Sequence, residues 1–407
     1  MHRRLRIAAP FAAMTLAAGL ALGGTAVATA GVQGQHARPA GMAGAGRTAS
    51  RSAVPWSLVG PGWALVTYTT ATLYAARPEA GATTLYLVDP AGGKYVLYQW
   101  PHVPADAGVE LLAWSGDGTR ALLEVAASPA SSVEQLDQLT LAAGTLTRLR
   151  LPASAIPISY TRPDGLAVLA YRSLVSPPEV QLARYSLSGG LEKVLFTSKT
   201  TRYGGFAGIV QSSPYNPDGT AMALTATPGG GATAGHTVLV SNAGVVIRRF
   251  TAAGSCVAVR WWTASQLLTE NCAGQRLFVT PVSGASPVPL TPVPLTLAAG
   301  SPYRFPQDAW QLAGHVYVQL TGPACGTGSL AVIRGGRLAD VPVRTGDRGA
   351  TIVAASTSRL LIVAEGCMRS SGLLWFNPAD SAQVQVLGQN QGLGVLGLVP
   401  YYQVNGG

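Results

Sequence analysis

The chain has 407 residues, 11% of them charged, and a formal net charge of +10. Six of those ten excess positive charges (Arg3, Arg4, Arg6, Arg38, Arg47 and Arg51) fall in the first 53 residues, where no acid occurs, so the remainder carries only +4. No basic cluster interleaved with aromatics is present, which speaks against a nucleic-acid partner. After residue 30 no run is apolar and long enough for a transmembrane helix.

In chain order, "MHRRLR" is followed by an 18-residue apolar run and the small-x-small sequence Ala28-Thr29-Ala30. This is the pattern of a secretory signal peptide over residues 1–30. A membrane anchor is the rival reading, weakened by Pro10 and the glycines of the run. Residues 31–53, rich in Gly, Ala, Ser and Arg without aliphatic periodicity, are expected to form a disordered leader. Residues 54–407 are expected to form a single domain, and the mature chain to be exported, extracellular or associated with the cell envelope, and monomeric.

No segment shows a sustained helical period, and short strand-like runs alternate with turns. One hairpin type reads apolar run, aromatic, polar turn, apolar run: "LLAWSGDGTRALLEV" (111–125), "ISYTRPDGLAVLAY" (158–171), "SSPYNPDGTAMALTA" (212–226), "VAVRWWTASQLLTE" (257–270), "DAWQLAGHVYVQL" (308–320) and "IVAASTSRLLIVAE" (352–365). Three copies carry Asp-Gly, a favoured hairpin turn because Gly accepts positive φ and Asp bonds back to the backbone. A second hairpin type alternates with the first in seven copies, from "TLYLVDPAGGKYVLY" (84–98) to "LLWFNPADSAQVQV" (373–386).

The anchors Trp114, Thr161, Tyr215, Trp262, Trp310 and Ala355 recur every 45–54 residues. Two hairpins per period make a four-stranded antiparallel blade, so the sequence predicts an all-β, seven-bladed β-propeller. Ring closure would leave no open sheet edge at the joint if "GVLGLVPYYQ" (394–403) paired with "WALVTYTT" (63–70). The rival is "PWSLV" (55–59) as the inner strand of that blade.

"WSGDGTRALLEV", "YTRPDGLAVLAY" and "YNPDGTAMALTA" resemble the "WSPDGKxIAF" repeat of TolB-type and WD40-like propellers, and "TLYLVDPAGG" is similar to that repeat's "IYVMDADGG". The resemblance covers roughly residues 55–400 and fades in the last three blades, where Asp-Gly is gone. It implies a scaffold and carries over no functional residue. Relatives bind envelope proteins or carry propellers beside hydrolase domains, for which this chain has no room.

The mature chain has four cysteines, Cys256, Cys272, Cys325 and Cys367, and an even count in an exported protein suggests disulfides. If Trp261 faces Leu267 beside the turn, the same register places Cys256 opposite Cys272. Cys325 and Cys367 lie in equivalent loops of neighbouring blades and form the second expected pair. No C-x-x-C is present and His is scarce, so neither a metal nor a cofactor is expected.

No G-x-S-x-G elbow or paired acid–base spacing is visible. Three inter-blade loops, 99–108, 198–208 and 298–308, combine aromatics with basic groups. Trp100, His102, Arg202, Tyr203, Phe206, Tyr303, Arg304 and Phe305 are the candidate ligand-binding residues, since aromatics stack on sugars or peptides and Arg pairs with carboxylates. The plainer alternative is that these aromatics plug the loops onto the blades. The expected function is a non-catalytic module binding an envelope or extracellular protein or glycan. The alternative is a lyase or glycan hydrolase with its site at the central channel, which a cluster of His and carboxylates there would favour.

Overall fold

The computed structural model describes residues 46–72, 79–104, 108–126, 134–174, 179–199, 206–207, 214–226, 236–271, 276–292, 305–321, 328–345, 349–366, 369–388 and 393–401. Residues 1–30, read as a signal peptide, and most of the expected leader lie outside them. No helix among the described residues is long and apolar enough to cross a membrane.

The described chain is all-β. It begins with β1 (Thr48–Ser50), β2 (Ala64–Thr69), β3 (Gly81–Val88) and β4 (Lys94–Val103). Five separate four-stranded antiparallel sheets follow. They comprise β5 (Val109–Trp114), β6 (Arg120–Ala126), β7 (Glu134–Thr140) and β8 (Thr145–Leu149); then β9 (Ala155–Tyr160), β10 (Ala167–Leu174), β11 (Glu179–Ser186) and β12 (Leu191–Lys199). Next come β13 (Phe206–Ala207), β14 (Ala221–Ala226), β15 (His236–Ser241) and β16 (Val246–Arg249); then β17 (Val257–Thr263), β18 (Gln266–Glu270), β19 (Leu277–Pro281) and β20 (Val288–Pro289). The fifth holds β21 (Pro306–Leu312), β22 (His315–Leu320), β23 (Ser329–Arg334) and β24 (Arg337–Val341). The chain ends with β25 (Gly349–Ala355), β26 (Leu360–Gly366), β27 (Arg369–Asn377), β28 (Ala382–Leu387) and β29 (Gly394–Pro400).

β29 runs antiparallel to β2, with Val66 opposite Leu398. It also touches β27 through one parallel bridge, Ser371 to Gly394, which merges the first and last groups of strands into a nine-stranded sheet. The C-terminal run thus lies beside residues 63–70. In the rival segment 55–59, residues Trp56–Leu58 form a short 3-10 turn instead.

The Asp-Gly turns form as their chemistry dictates. Gly118, Gly165 and Gly219 have φ of 72°, 64° and 68°, a region that costs a residue bearing Cβ about 1 kcal/mol or more. In the first turn Asp117 accepts from the Ser115 hydroxyl at 2.5 Å and the Thr119 amide at 3.1 Å. In the second, Asp164 accepts from the Leu166 amide at 3.0 Å. In the third, Asn216 takes the accepting role, from the amides of Thr220 at 2.8 Å and Ala221 at 3.0 Å.

The apolar core is divided among interfaces between successive groups of strands. Leu122 and Leu136 pack with Tyr160 and Val168; Leu169 and Leu182 with Tyr215 and Met222; Ala223 and Leu239 with Trp261 and Leu267. The series continues with Leu268 against Val318 and Trp310 against Ile352. It returns to its start: Leu361 and Trp375, from the last group, pack with Ala64 and Val66 of the first. Trp375 is fully buried, and its indole donates to the Asp89 carbonyl at 3.0 Å. Each sheet therefore buries both faces against neighbours, worth roughly 1.5–3 kcal/mol per large apolar side chain.

Three local expectations differ from the structure. The leader is ordered from Gly46 onward: β1 pairs in parallel with β4, Thr48 opposite Lys94, and Arg51 Nη1 donates to the Leu97 carbonyl at 3.1 Å. Backbone pairing needs no apolar side chains, which is why composition missed it. β4 continues to Val103, so residues 99–103 are strand rather than loop. In the β17–β18 hairpin Trp261 does face Leu267, but a bulge between Ala258 and Arg260 shifts the register, and Val257 faces Glu270. Carried one residue further, that register sets Cys256 opposite Asn271 instead of Cys272.

Candidate functional site

The eight residues singled out from the sequence are placed unevenly. Trp100 and His102 lie on β4, the fourth strand counted from β29. Trp100 is half-buried, tilted against Tyr98 with ring centres 4.7 Å apart, and packed on the core shared by the first two groups of strands. His102 is exposed. Phe206 lies on β13, the first strand of its sheet, and the Phe305 amide donates to the Thr321 hydroxyl at 2.7 Å just before β21. Trp100 and His102 are thus on a last strand, whereas Phe206 and Phe305 are at first strands. Arg202, Tyr203, Tyr303 and Arg304 lie outside the described residues.

Cys256 is disulfide-bonded. Cys272, Cys325 and Cys367 lie outside the described residues, so both expected pairings extend beyond them. Among the described residues no group of three or more His, Cys, Asp or Glu is placed to hold a metal ion.

Three first strands, β17, β21 and β25, are each tied to the preceding sheet by buried polar groups. Thr225 Oγ1 accepts from the Ala258 amide at 3.0 Å. Gln319 donates to the Ala350 carbonyl at 2.7 Å and accepts from the Ile352 amide at 2.9 Å. Between β17 and β21 the stitch is ionic: Arg260 Nη1 lies 3.5 Å from Asp308 Oδ2, both buried, with the guanidinium carbon 3.2 Å from the centre of the Trp310 ring. Burial pushes the Asp308 carboxyl up, opposed by the Arg260 charge, and pushes Arg260 down.

Sequence reasoning missed a set of carboxylates. Glu124, Glu270 and Glu365 each lie near the C-terminal end of the second strand of a sheet, on β6, β18 and β26. Their cross-strand partners are at the start of the first strand: Glu110, Val257 and Gly349. All three therefore occupy the same end of their sheets, the end at which the inter-blade loops join. Burial pushes the Glu270 carboxyl up to about 7 and raises Glu365 as well. A carboxyl titrating near neutrality can give or take a proton under ordinary conditions. The available signal was a glutamate closing the second run of a hairpin, in "LLEV", "LLTE" and "IVAE".

No family model and no curated protein matches the chain. Solved structures do. The β-propeller domain of the Trilobed protease from Pyrococcus furiosus is 12% identical, with 82% of this chain and 96% of that one covered and a TM-score of 0.51. The chain has the organisation of a β-propeller. A structure from a study of two prolyl endopeptidases is 12% identical over 83% of this chain, with a TM-score of 0.55, and this chain spans about half of its length, 51%. TolB from Acinetobacter baumannii is 13% identical over 86% of this chain and 87% of its own, but its TM-score of 0.40 is too low to carry an argument. The TolB-type resemblance therefore narrows to the propeller fold. The first two of these neighbours come from peptidases. The expectation of a clearly non-catalytic binding module is corrected accordingly: these neighbours share the fold of this chain and belong to enzymes, so the fold does not set it apart from them.

Proposed function

We propose that the chain is a seven-bladed β-propeller working in peptide hydrolysis, as the substrate-admitting ring of a peptidase-type enzyme. Five separate sheets, the group β25–β28, and β2–β4 completed by β29 make seven four-stranded units. The packing of Trp375 and Leu361 on Ala64 and Val66 supports closure between the last unit and the first. The observation that carries the functional reading is the alignment of Glu124, Glu270 and Glu365 at one end of their sheets, with Glu270 titrating near 7. That end offers carboxylates to the amides and amines of an extended peptide entering the ring. The peptidase neighbours favour peptides over other substrates. Export through residues 1–30 remains part of the proposal.

The test is to incubate the full chain with a set of unstructured neutral peptides, reading cleavage by mass spectrometry and binding by calorimetry. Binding or cleavage that falls at least about tenfold in Glu270→Gln/Glu365→Gln supports the reading. Peptides that are neither bound nor cut, or are handled equally by that variant, overturn it.

A further inference from the structure

The outer edges of the sheets are not alike. The edge of β4 is covered by β1, an extended segment of the same chain in parallel pairing from Thr48 to Ser50. The edge of β16 is bare: among the described residues it pairs only with β15. Every residue of β16 is exposed, and the strand is preceded by Val245, 62% exposed, and contains Ile247, 52% exposed. Apolar side chains displayed in a row on an open edge are unusual, because such edges invite pairing and are commonly blunted. Neighbouring β20 is only two residues long and ends in a proline, which removes an amide donor. β16 has no proline.

The charge on this edge is one-sided. Arg248 and Arg249 follow the aliphatic residues, both exposed, and neither has an ion-pair partner among the described residues. From Gly219 to Thr269 the sequence contains no Asp or Glu at all. Arg249 leans toward the Phe196 ring at 5.5 Å. The tight turn at Gly244 packs on the backbone of Leu195, fixing the start of the edge against β12.

We propose that the outer edge of β16 is a docking site for an extended strand of a partner protein that carries aliphatic residues followed by acidic ones. The strand would add to the sheet through backbone hydrogen bonds, as β1 does on β4. Val245 and Ile247 supply apolar contact, and Arg248 and Arg249 pair with the carboxylates and set the register. This site is separate from the carboxylate end of the ring and does not rest on peptide hydrolysis.

The experiment uses the full chain and a fluorescein-labelled ten-residue peptide of alternating Val and Thr ending in Glu-Glu, with a Lys-Lys version as control. Saturable binding of the Glu peptide by anisotropy is expected, at least tenfold tighter than the control. The affinity should fall about tenfold or more in Arg248→Glu/Arg249→Glu, and likewise in Ile247→Pro, while Glu270→Gln/Glu365→Gln leaves it unchanged. Slowed amide exchange confined to residues 245–249 on binding completes the support. Absence of saturable binding, binding indifferent to both edge variants, or a homodimer in sedimentation that Ile247→Pro dissolves would each overturn the proposal. The last outcome would make a second copy the occupant.

Discussion

The Arg260 guanidinium lies over the Trp310 ring, its central carbon 3.2 Å from the ring centre. Arg260 comes from β17 and Trp310 from β21, so this stack joins the first strands of two successive sheets. Asp308 supplies the counter-charge at 3.5 Å. A buried charge is tolerated only when paired. Removing one member therefore costs more than the pair contributes.

Asp308→Ala is expected to lower unfolding stability by about 3–5 kcal/mol, because it strands the buried Arg260 charge. Arg260→Met with Asp308→Leu together should cost less than Asp308→Ala alone. Urea denaturation of the wild type, Asp308→Ala and the double variant checks this; a double variant at least as costly as Asp308→Ala alone would contradict it.

Glu270 gives a pH dependence whose sign follows from its raised value. An acid that titrates near 4.5 when unfolded and about 7 when folded holds more protons in the native state between those values. Stability contributed by the neutral form is therefore present below about pH 4.5, falls as pH rises toward 7, and is gone above it. The difference amounts to about 3 kcal/mol. Glu270→Gln should flatten this decline and stabilise the chain at pH 8, as measured by denaturant midpoints across pH. An unchanged profile would place the titration elsewhere.

Gly394 has φ of 78°, and a Cβ there would lie within 2.1 Å of the Ser371 carbonyl oxygen. Gly335, with φ of 54°, has open space around its Cβ position. Gly335→Ala should cost roughly 1–2 kcal/mol, the backbone penalty alone. Gly394→Ala must in addition push β29 from β27, so its thermal midpoint should drop clearly further. Equal effects would mean that β29 is not held against the last group of strands.

Peptide mapping under non-reducing conditions checks the partner of Cys256: the register that sets Cys256 opposite Asn271 leaves Cys272 one position further along, and Cys256 joined to Cys272 is the expected product. A loop of this size would contribute about 3 kcal/mol in the chain-entropy model. Recovery of Cys256 joined to Cys325 or Cys367 would contradict the pairing.

The sheet pattern was legible because its cause is local: Asp117-Gly118, Asp164-Gly165 and Asp218-Gly219 impose turns that short-range chemistry dictates, and Trp114, Trp262 and Trp310 repeat at blade spacing. The bulge in β17 was not legible, because nothing in the local run "VAVRWWT" marks it, and the Arg260–Asp308 contact beside it spans 48 positions. Nor was the ordering of Thr48–Ser50, which is held by the β4 backbone rather than by its own side chains. Glu270 and Glu365 read as scattered charges in one dimension. Only the cross-strand register brings them to a common end, so the better site candidates were invisible while the loop aromatics stood out.

The most direct test of peptide handling is hydrogen exchange by mass spectrometry on the full chain with and without a neutral unstructured peptide. Slowed exchange is expected at the starts of first strands, residues 109–112, 257–260 and 349–352, next to the carboxylates, with the outer strands unchanged. A bound peptide that protects only outer strands, or none of these segments, would contradict entry at that end of the ring.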